Sequence, residues 1–222
     1  MILNAHSLYD FGRLASDYER WYETPAGRAH DEAQKSDVRK FLKPAKPGAR
    51  LLDVGCGTGH WSRFFASLGY EVVGVDISEE MIQVAKTHPE PNCRFQVADA
   101  LALPFGNHCF DVVASMSTIE FVSEASLALA EMFRCVQPNG AVLIGTLNRL
   151  APINRHRLAK GRQPYASGRL LTHGELRKLL VPFGRVRTVA SSPNTGRRDH
   201  RGWRITARRT SSDPFIVAEV RP

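Results

Sequence analysis

The chain has 222 residues, 43% hydrophobic and 23% charged, with a formal net charge of +8. A chain of this length forms one ordinary domain, buries enough apolar surface to fold without disulfide or metal staples, and has too globular a composition for a disordered tail protein. No apolar run approaches the roughly 18 residues a membrane span needs, and residues 1–7 lack a basic region followed by an apolar one, so the expected location is the cytoplasm.

The first forty-odd residues read as helical. Leu14, Tyr18, Trp21 and Tyr22 recur near the helical period, and Val38, Phe41 and Leu42 form a second pattern that ends at two prolines and a glycine, Pro44, Pro47 and Gly48. From residue 50 strands and helices alternate. Residues 50–54 read as a strand, 58–68 as a helix stopped by Gly69, and 71–76 as a second strand. Ser78 is a helix cap, with Glu79 and Glu80 in the first turn where the positive dipole end favours them. Residues 94–97 and 110–114 read as strands three and four, and 121–136 as a helix. Gln137-Pro138-Asn139-Gly140 reads as a turn into strand five at 141–145. The rhythm then loosens into an irregular segment, 148–171. Thr172 and Glu175 have capping-box spacing for a helix through Leu180. Residues 183–190 read as strand six, 191–212 as turn-rich with a short strand at 203–207, and 214–220 as the last strand. Strands of β-branched residues alternating with helices imply parallel βαβ units: an α/β, doubly wound, Rossmann-like sheet.

The charge is uneven. Residues 149–209 hold sixteen Lys and Arg against two acids, Glu175 and Asp199, so that stretch carries +14 and the rest −6. Such asymmetry points to an anionic partner. Arg outnumbers Lys 23 to 7, so genome composition is the competing reading, although it does not account for the missing acids. Cys56, Cys93, Cys109 and Cys135 form no C-x-x-C pair; no metal is expected, and the last three read as buried small hydrophobes.

Asp53-Val54-Gly55-Cys56-Gly57-Thr58-Gly59 follows strand one and opens a helix. Glycines there let the backbone turn tightly and approach a ligand, and the helix start offers free N–H groups to an anion. Asp76 ends strand two, 21 residues after Gly55, where a carboxylate accepts both hydroxyls of a ribose. Asp99 follows strand three. In parallel strands these ends face one crevice, so Asp53, Asp76 and Asp99 are expected to converge there. A dinucleotide site wants G-x-G-x-x-G, but position 60 is His60 and the third glycine stands at 59. A pyrophosphate also suits the acidic Asp53 poorly. S-adenosylmethionine (SAM) carries no phosphate, has a cationic sulfonium, and suits three acids better.

Leu51-Leu52-Asp53-Val54-Gly55-Cys56-Gly57-Thr58-Gly59, Gly74-Val75-Asp76-Ile77-Ser78, the run 96–105, Phe110-Asp111-Val112-Val113 and the run 133–140 together resemble the ordered motifs of class I SAM-dependent methyltransferases. The nearest group is the ubiquinone/menaquinone-biosynthesis-like methyltransferases. The resemblance covers residues 15–147, and more weakly 167–180 and the last strand. It implies a seven-stranded, mostly parallel sheet with an antiparallel last strand, SAM as cofactor and S-adenosylhomocysteine as product. It places Gly55, Cys56 and Gly57 against the methionine part, Asp76 on the ribose, and Ile77 and Met81 on the adenine. Asp99 would accept from the adenine amino group beside the Ala100 N–H, Ser115 would floor the site near the sulfonium, and Tyr18 would touch the carboxylate. Pro138-Asn139-Gly140 departs from the usual Pro-Gly-Gly, and 191–212 matches no part of the family pattern.

The expected organisation is a single methyltransferase domain over 1–222: N-terminal helices 1–48 that close over the cofactor, a SAM-binding core 49–147, and a basic substrate-side segment with the last strands, 148–222. Segment 148–171 would form part of a substrate lid, with Arg149, Arg155, Arg157 and Arg162 nearest the acceptor. The expected function is methyl transfer from SAM to a small, anionic acceptor. Its rivals are an RNA or protein methyltransferase drawing on the basic stretch, and a non-catalytic SAM-binding module. No Asn/Asp-Pro-Pro-Tyr motif follows strand four, which weighs against base N-methylation, and Ser115 and Ser117 lie in no G-x-S-x-G elbow. No catalytic base is assigned. Among His60, His88, His108, His156, His173 and His200, His60 stands closest to the glycine loop. Glu120 faces substrate or caps a helix, and Trp21, Tyr22 and Trp61 wall a pocket or fill the core.

Overall fold

The computed structural model describes residues 6–191 and 213–222. Seven strands form one sheet in the order β3-β2-β1-β4-β5-β7-β6: β1 (Arg50–Val54), β2 (Glu71–Asp76), β3 (Cys93–Val97), β4 (Phe110–Met116), β5 (Val136–Leu147), β6 (Arg185–Ser191) and β7 (Phe215–Arg221). The pairings β3-β2-β1-β4-β5 are parallel, and β7 runs antiparallel between β5 and β6.

Among the described residues, seven α-helices connect or cover the strands: α1 (Arg20–Glu23), α2 (Pro25–Phe41), α3 (His60–Ser67), α4 (Glu79–Thr87), α5 (Ala125–Cys135), α6 (Pro152–Ala159) and α7 (His173–Leu180). Because side chains alternate along a strand, neighbours feed opposite sides of the sheet. Leu51, Val72, Val112 and Ala114 pack with Val38 of α2, Leu42 just after it, and Trp61, Phe64 and Phe65 of α3. Leu52, Val75 and Val113 pack with Leu129 and Met132 of α5 and Leu176 and Leu180 of α7.

The local signals act as expected at several ends. Ser78 Oγ accepts from Met81 N, and Thr172 and Glu175 complete a capping box. Other expectations are corrected. The helix expected from residue 121 starts at Ala125, after a 3-10 turn at Ile119–Phe121. Pro138-Asn139-Gly140 is no turn but part of β5, where the pairing with β4 shifts register between Phe110 and Val112. Among the described residues, the non-glycine residues with left-handed angles are His108 and Ser117. Segment 148–171 contains α6, opened by Pro152 at its first turn. Asn154, buried in that helix, bonds the carbonyls of Asn148 and Pro214 and fixes α6 to the ends of β5 and β7. Of the cysteines, Cys56 and Cys135 are buried, whereas Cys93 and Cys109 are half-buried, and all four are free. The strand expected at 203–207 lies outside the described residues. Among the described residues no helix is long and apolar enough to cross a membrane.

The N-terminal segment crosses the C-terminal ends of the strands. Ser7 bridges to Val122, Leu8 N bonds Phe121 O, and Ser123 N bonds His6 O. This holds residues 6–22 over the point where β1 and β4 diverge, the place where open α/β sheets carry their ligands.

Candidate functional site

The loop after β1 is built by three residues with positive φ: Gly55 (74°), Gly57 (53°) and Gly59 (85°). The N–H groups of Gly55 and Cys56 both bond Val75 O, at 2.7 and 2.9 Å, and Thr118 Oγ1 donates to Gly55 O at 3.0 Å. A Cβ on Gly55 would sit 2.1 Å from Thr118 Cγ2. One on Gly57 would meet nothing nearer than Met81 Sδ at 4.0 Å. Gly57 thus presents bare backbone to an open crevice.

That crevice opens at the C-terminal ends of β1, β2 and β4. Its floor is Val54 to Thr58, Asp76 and Ile77. One end is formed by Ala98, Asp99, Ala100 and Met81, the other by Thr58, His60 and Trp61, and Phe11, Tyr18, Tyr22 and Phe121 roof it. Asp76 Oδ2 accepts from Gly57 N and Oδ1 from Ser78 N, both at 2.9 Å. The Ile77 N–H also bonds this carboxylate, whose two oxygens offer about four acceptor sites in all. Asp99 Oδ1 accepts from Leu101 N at 2.9 Å, and Oδ2 lies 2.5 Å from His6 Nδ1. Burial pushes the Asp76 carboxyl, the Cys56 thiol and the Tyr18 phenol upward. Cys56 and Tyr18 therefore keep their protons at neutral pH, and Tyr18 O–H is a donor.

Of the eleven residues expected at the cofactor, the structure brings nine into this wall: Tyr18, Gly55, Cys56, Gly57, Asp76, Ile77, Met81, Asp99 and Ala100. Asp53 and Ser115 are not in it, so two acids converge on the crevice rather than three. Both side chains lie within strands and are buried, at 1% and 0% exposure. Asp53 turns toward α3 and accepts from Ser62 Oγ at 2.6 Å. The residues just beyond the end of β4, Ser117 and Thr118, line the crevice where Ser115 was expected.

Burial is the main cause that pushes both Asp53 and Glu120 up to about 7. Between the ordinary carboxyl range and pH 7 the folded chain binds more protons than the unfolded one. The stability this gives is complete below about pH 4 and is lost as pH rises through 7. Asp53→Asn is therefore expected to compare more favourably with wild type at pH 8 than at pH 5. The expected difference is about 1–3 kcal/mol in urea unfolding free energy; equal differences at both pH values would refute it.

Beyond the roof lies a second chamber that shares Phe11, Tyr18, Tyr22, Ser117 and Phe121 with the first. Its other walls are Leu14, Asp17, Trp21, His30, Gln34, Leu147, Arg157, Pro164, Tyr165 and Pro214. The Arg157 guanidinium lies 4.3 Å over the Tyr165 ring and donates to Asn154 Oδ1. Burial, helped by the Arg157 charge, pushes His30 down, so it is neutral at pH 7. Of the four arginines expected near the acceptor, only Arg157 lines the chamber; Arg149 pairs with Glu175 at 2.6 Å, and Arg155 and Arg162 are exposed. Trp21 and Tyr22 wall pockets, whereas Trp61 does so while buried in the core. Glu120 lines neither chamber and is buried; its Oε1 accepts from Leu147 N. His88 is exposed, His108 bonds Val136 O, His156 and His173 lie on α6 and α7, and His200 is outside the described residues.

Sequence reasoning missed His6, Phe11, Ser117 and Thr118 in the first chamber and His30, Gln34 and Tyr165 in the second. Only Ser117 leaves a trace, its strained φ of 55° just past β4, and that is visible in the backbone rather than in the residue type.

The crevice fits a sulfonium nucleoside. Two carboxylates and no Lys or Arg line it among the described residues, which disfavours a pyrophosphate, and Gly57 leaves the space a Cβ would fill. Residues 52–144 match the family model described as a methyltransferase domain. A malonyl-[acyl-carrier protein] O-methyltransferase of Erwinia pyrifoliae is 34% identical over 162 residues, 65% of this chain and 58% of that protein. A demethylmenaquinone methyltransferase of Renibacterium salmoninarum is 41% identical over 100 residues, 45% of this chain and 42% of that one. The chain spans about half the length of these curated relatives. A SAM complex of Haemonchus contortus phosphoethanolamine N-methyltransferase 2 shares the fold, with TM-score 0.63 and 19% identity over 96% of this chain and 60% of that one. In its fold, its crevice and residues 52–144 the chain is similar to class I SAM-dependent methyltransferases. The relatives it resembles in sequence include quinone-biosynthesis and malonyl-carrier-protein methyltransferases.

Proposed function

We propose that this chain transfers the methyl group of SAM to a small anionic acceptor seated in the second chamber. The observation that carries the reading is the shared wall: the donor crevice and an aromatic chamber lined also by Arg157 meet at Tyr18, Tyr22, Ser117 and Phe121. Bound SAM supplies an activated methyl group on a cationic sulfur. Asp76 would accept the ribose hydroxyls, Asp99 the adenine amino group with Ala100 N–H beside it, and Ile77 and Met81 would flank the ring. The backbone of Gly55, Cys56 and Gly57 would lie along the methionyl chain, with the Tyr18 hydroxyl donating toward it. The aromatic wall excludes water and holds the acceptor in line, and positioning of this kind supplies much of the barrier reduction when the donor is already activated.

A radiolabelled-SAM screen against the small-molecule fraction of a cell extract tests the reading. With an acceptor in hand, Arg157→Glu is expected to raise its KM about tenfold to hundredfold, since hydrogen bonds to charged groups contribute about 1.5–3 kcal/mol. SAM affinity should stay unchanged. An unchanged KM at low salt would show that Arg157 binds no acceptor.

A second reading, a macromolecular acceptor such as RNA or a protein, is favoured by the exposed Arg155, Lys160 and Arg162 beside the chamber. Salt separates the two. Acceptor KM would rise modestly with ionic strength for a small anion and steeply for RNA, by roughly 0.7 in log–log slope per neutralised phosphate.

A further inference from the structure

The adenine end of the donor crevice carries a contact that the roles above leave unused. His6, in the segment that crosses the strand ends, lines the crevice, and its Nδ1 lies 2.5 Å from Asp99 Oδ2. Asp99 Oδ1 accepts from Leu101 N at 2.9 Å. One carboxylate oxygen is thus held by its own loop and the other by a residue 93 positions earlier in the chain. A carboxylate only accepts, so the hydrogen of this pair sits on His6 Nδ1. Backbone contacts fix His6 in turn. Its carbonyl accepts from Ser123 N at 3.0 Å, Ser7 forms an antiparallel bridge with Val122, and Leu8 N donates to Phe121 O at 2.8 Å. Further along, a Cβ at Gly12 would fall 2.6 Å from Glu80 Oε2. The segment therefore lies against α4, whose Met81 forms the same end of the crevice.

A carboxylate held at one oxygen turns readily about its Cβ–Cγ bond, whose torsional preference is broad. Held at both, it has a fixed plane. Two of about four acceptor sites on Asp99 are taken in this way, and those left serve a donor N–H in the crevice. A 6-amino purine supplies that N–H. A 6-oxo purine places a carbonyl oxygen there instead. Sites built to hydrogen-bond one group reject an analogue that lacks it, because their polar atoms are left unpaired, and the rejection is sharper when the polar group cannot turn away. The His6 side chain is 50% exposed and that of Asp99 27%, so the contact itself contributes little stability. Its effect lies in where it aims the carboxylate.

We infer that His6 is a positioning residue for the donor's purine: it fixes the Asp99 carboxylate toward the 6-amino group and so makes the crevice select a 6-amino over a 6-oxo purine. The inference rests on the donor reading of the crevice. The competing assignment has the opposite sign. If His6 Nδ1 occupied the oxygen that the amino group needs, its removal would tighten the donor instead of weakening it.

Calorimetry of the full chain with S-adenosylhomocysteine and with S-inosylhomocysteine, its 6-oxo counterpart, tests this. Wild type is expected to prefer S-adenosylhomocysteine by about tenfold or more. His6→Ala should weaken S-adenosylhomocysteine about threefold to fivefold and leave S-inosylhomocysteine within about twofold, so the preference shrinks. His6→Asn, whose amide nitrogen takes nearly the place of Nδ1, should restore it. In an Asp99→Ala background, His6→Ala should change neither ligand further, because the effect runs through Asp99. Thermal melts check each fold, and if Asp99→Ala does not fold, the contrast between His6→Ala and His6→Asn decides. Unchanged or tighter binding of S-adenosylhomocysteine by His6→Ala, or equal weakening of both ligands, overturns the inference. So does an effect that persists without Asp99. A wild type that binds both ligands equally keeps the donor reading and overturns the role of His6. A wild type that binds neither overturns both.

Discussion

Gly57→Val is expected to abolish measurable binding of SAM and S-adenosylhomocysteine, a loss of at least a hundredfold, while the chain still folds. At Gly57 a Cβ meets no protein atom closer than 4.0 Å and projects into the crevice. The branched side chain would therefore occupy ligand space rather than break packing. The φ of 53° adds a backbone cost of about 1–2 kcal/mol, which lowers the melting temperature by a few degrees. Gly55→Val is the contrast. Its Cβ would lie 2.1 Å from Thr118 Cγ2, so it should damage the loop and β4 together and read out first as lost stability. Calorimetry and thermal melts on the two variants separate these outcomes. Retained affinity in folded Gly57→Val would refute the placement of the donor along the loop.

Asp76→Ala is expected to weaken SAM about tenfold to hundredfold, the effect of losing hydrogen bonds to one charged group. The same carboxylate holds Gly57 N and Ser78 N, so the substitution also frees the loop from β2. Asp76→Asn keeps an acceptor for one of those N–H groups and should fall between wild type and Ala. A melting temperature near wild type with unchanged SAM affinity would show that Asp76 does not hold the ribose. An affinity loss matched by a collapse in stability would assign the carboxylate to the loop alone.

The readable parts of this chain are those where local chemistry and the fold agree. Val72, Val73 and Val75 in β2, Ser78 before α4 and the Thr172–Glu175 box each name their element without help from the rest of the chain. Helix α6 escaped because Pro152-Ile153-Asn154-Arg155-His156-Arg157-Leu158-Ala159 has little apolar periodicity. It is held instead by Asn154, whose carbonyl partners at Asn148 and Pro214 lie far apart in sequence. Pro138-Asn139-Gly140 misled in the opposite direction, since turn residues also suit a bulged strand.

Within the site, the glycines and the acids at the ends of β2 and β3 are fixed by the strand–loop–helix geometry and so could be placed from sequence. Asp53 and Ser115 could not. Both fall near the correct strand ends, but which face a strand residue takes depends on its register with distant neighbours. Here that register turns Asp53 toward Ser62. The second chamber was invisible for a related reason. Its walls come from α1, α2, α6 and the segments around Leu147 and Pro214, which only the completed sheet brings together.

The antiparallel strand β7 has a bearing on how the chain is made. It is the latest of the seven strands to leave the ribosome, yet it lies inside the sheet, paired with β5 along one edge and β6 along the other. Until it emerges, β5 offers an unsatisfied backbone edge and β6 has no partner. Such edges are templates for pairing between chains. Glu219 of β7, 1% exposed, also supplies the carboxylate that Arg187 of β6 and Arg221 hold at 2.8–3.1 Å. Closure of the sheet and neutralisation of that charge are thus a single, late event in biosynthesis. A chain truncated before residue 213 would expose the edges of β5 and β6 and leave Arg187 of β6 without its carboxylate partner.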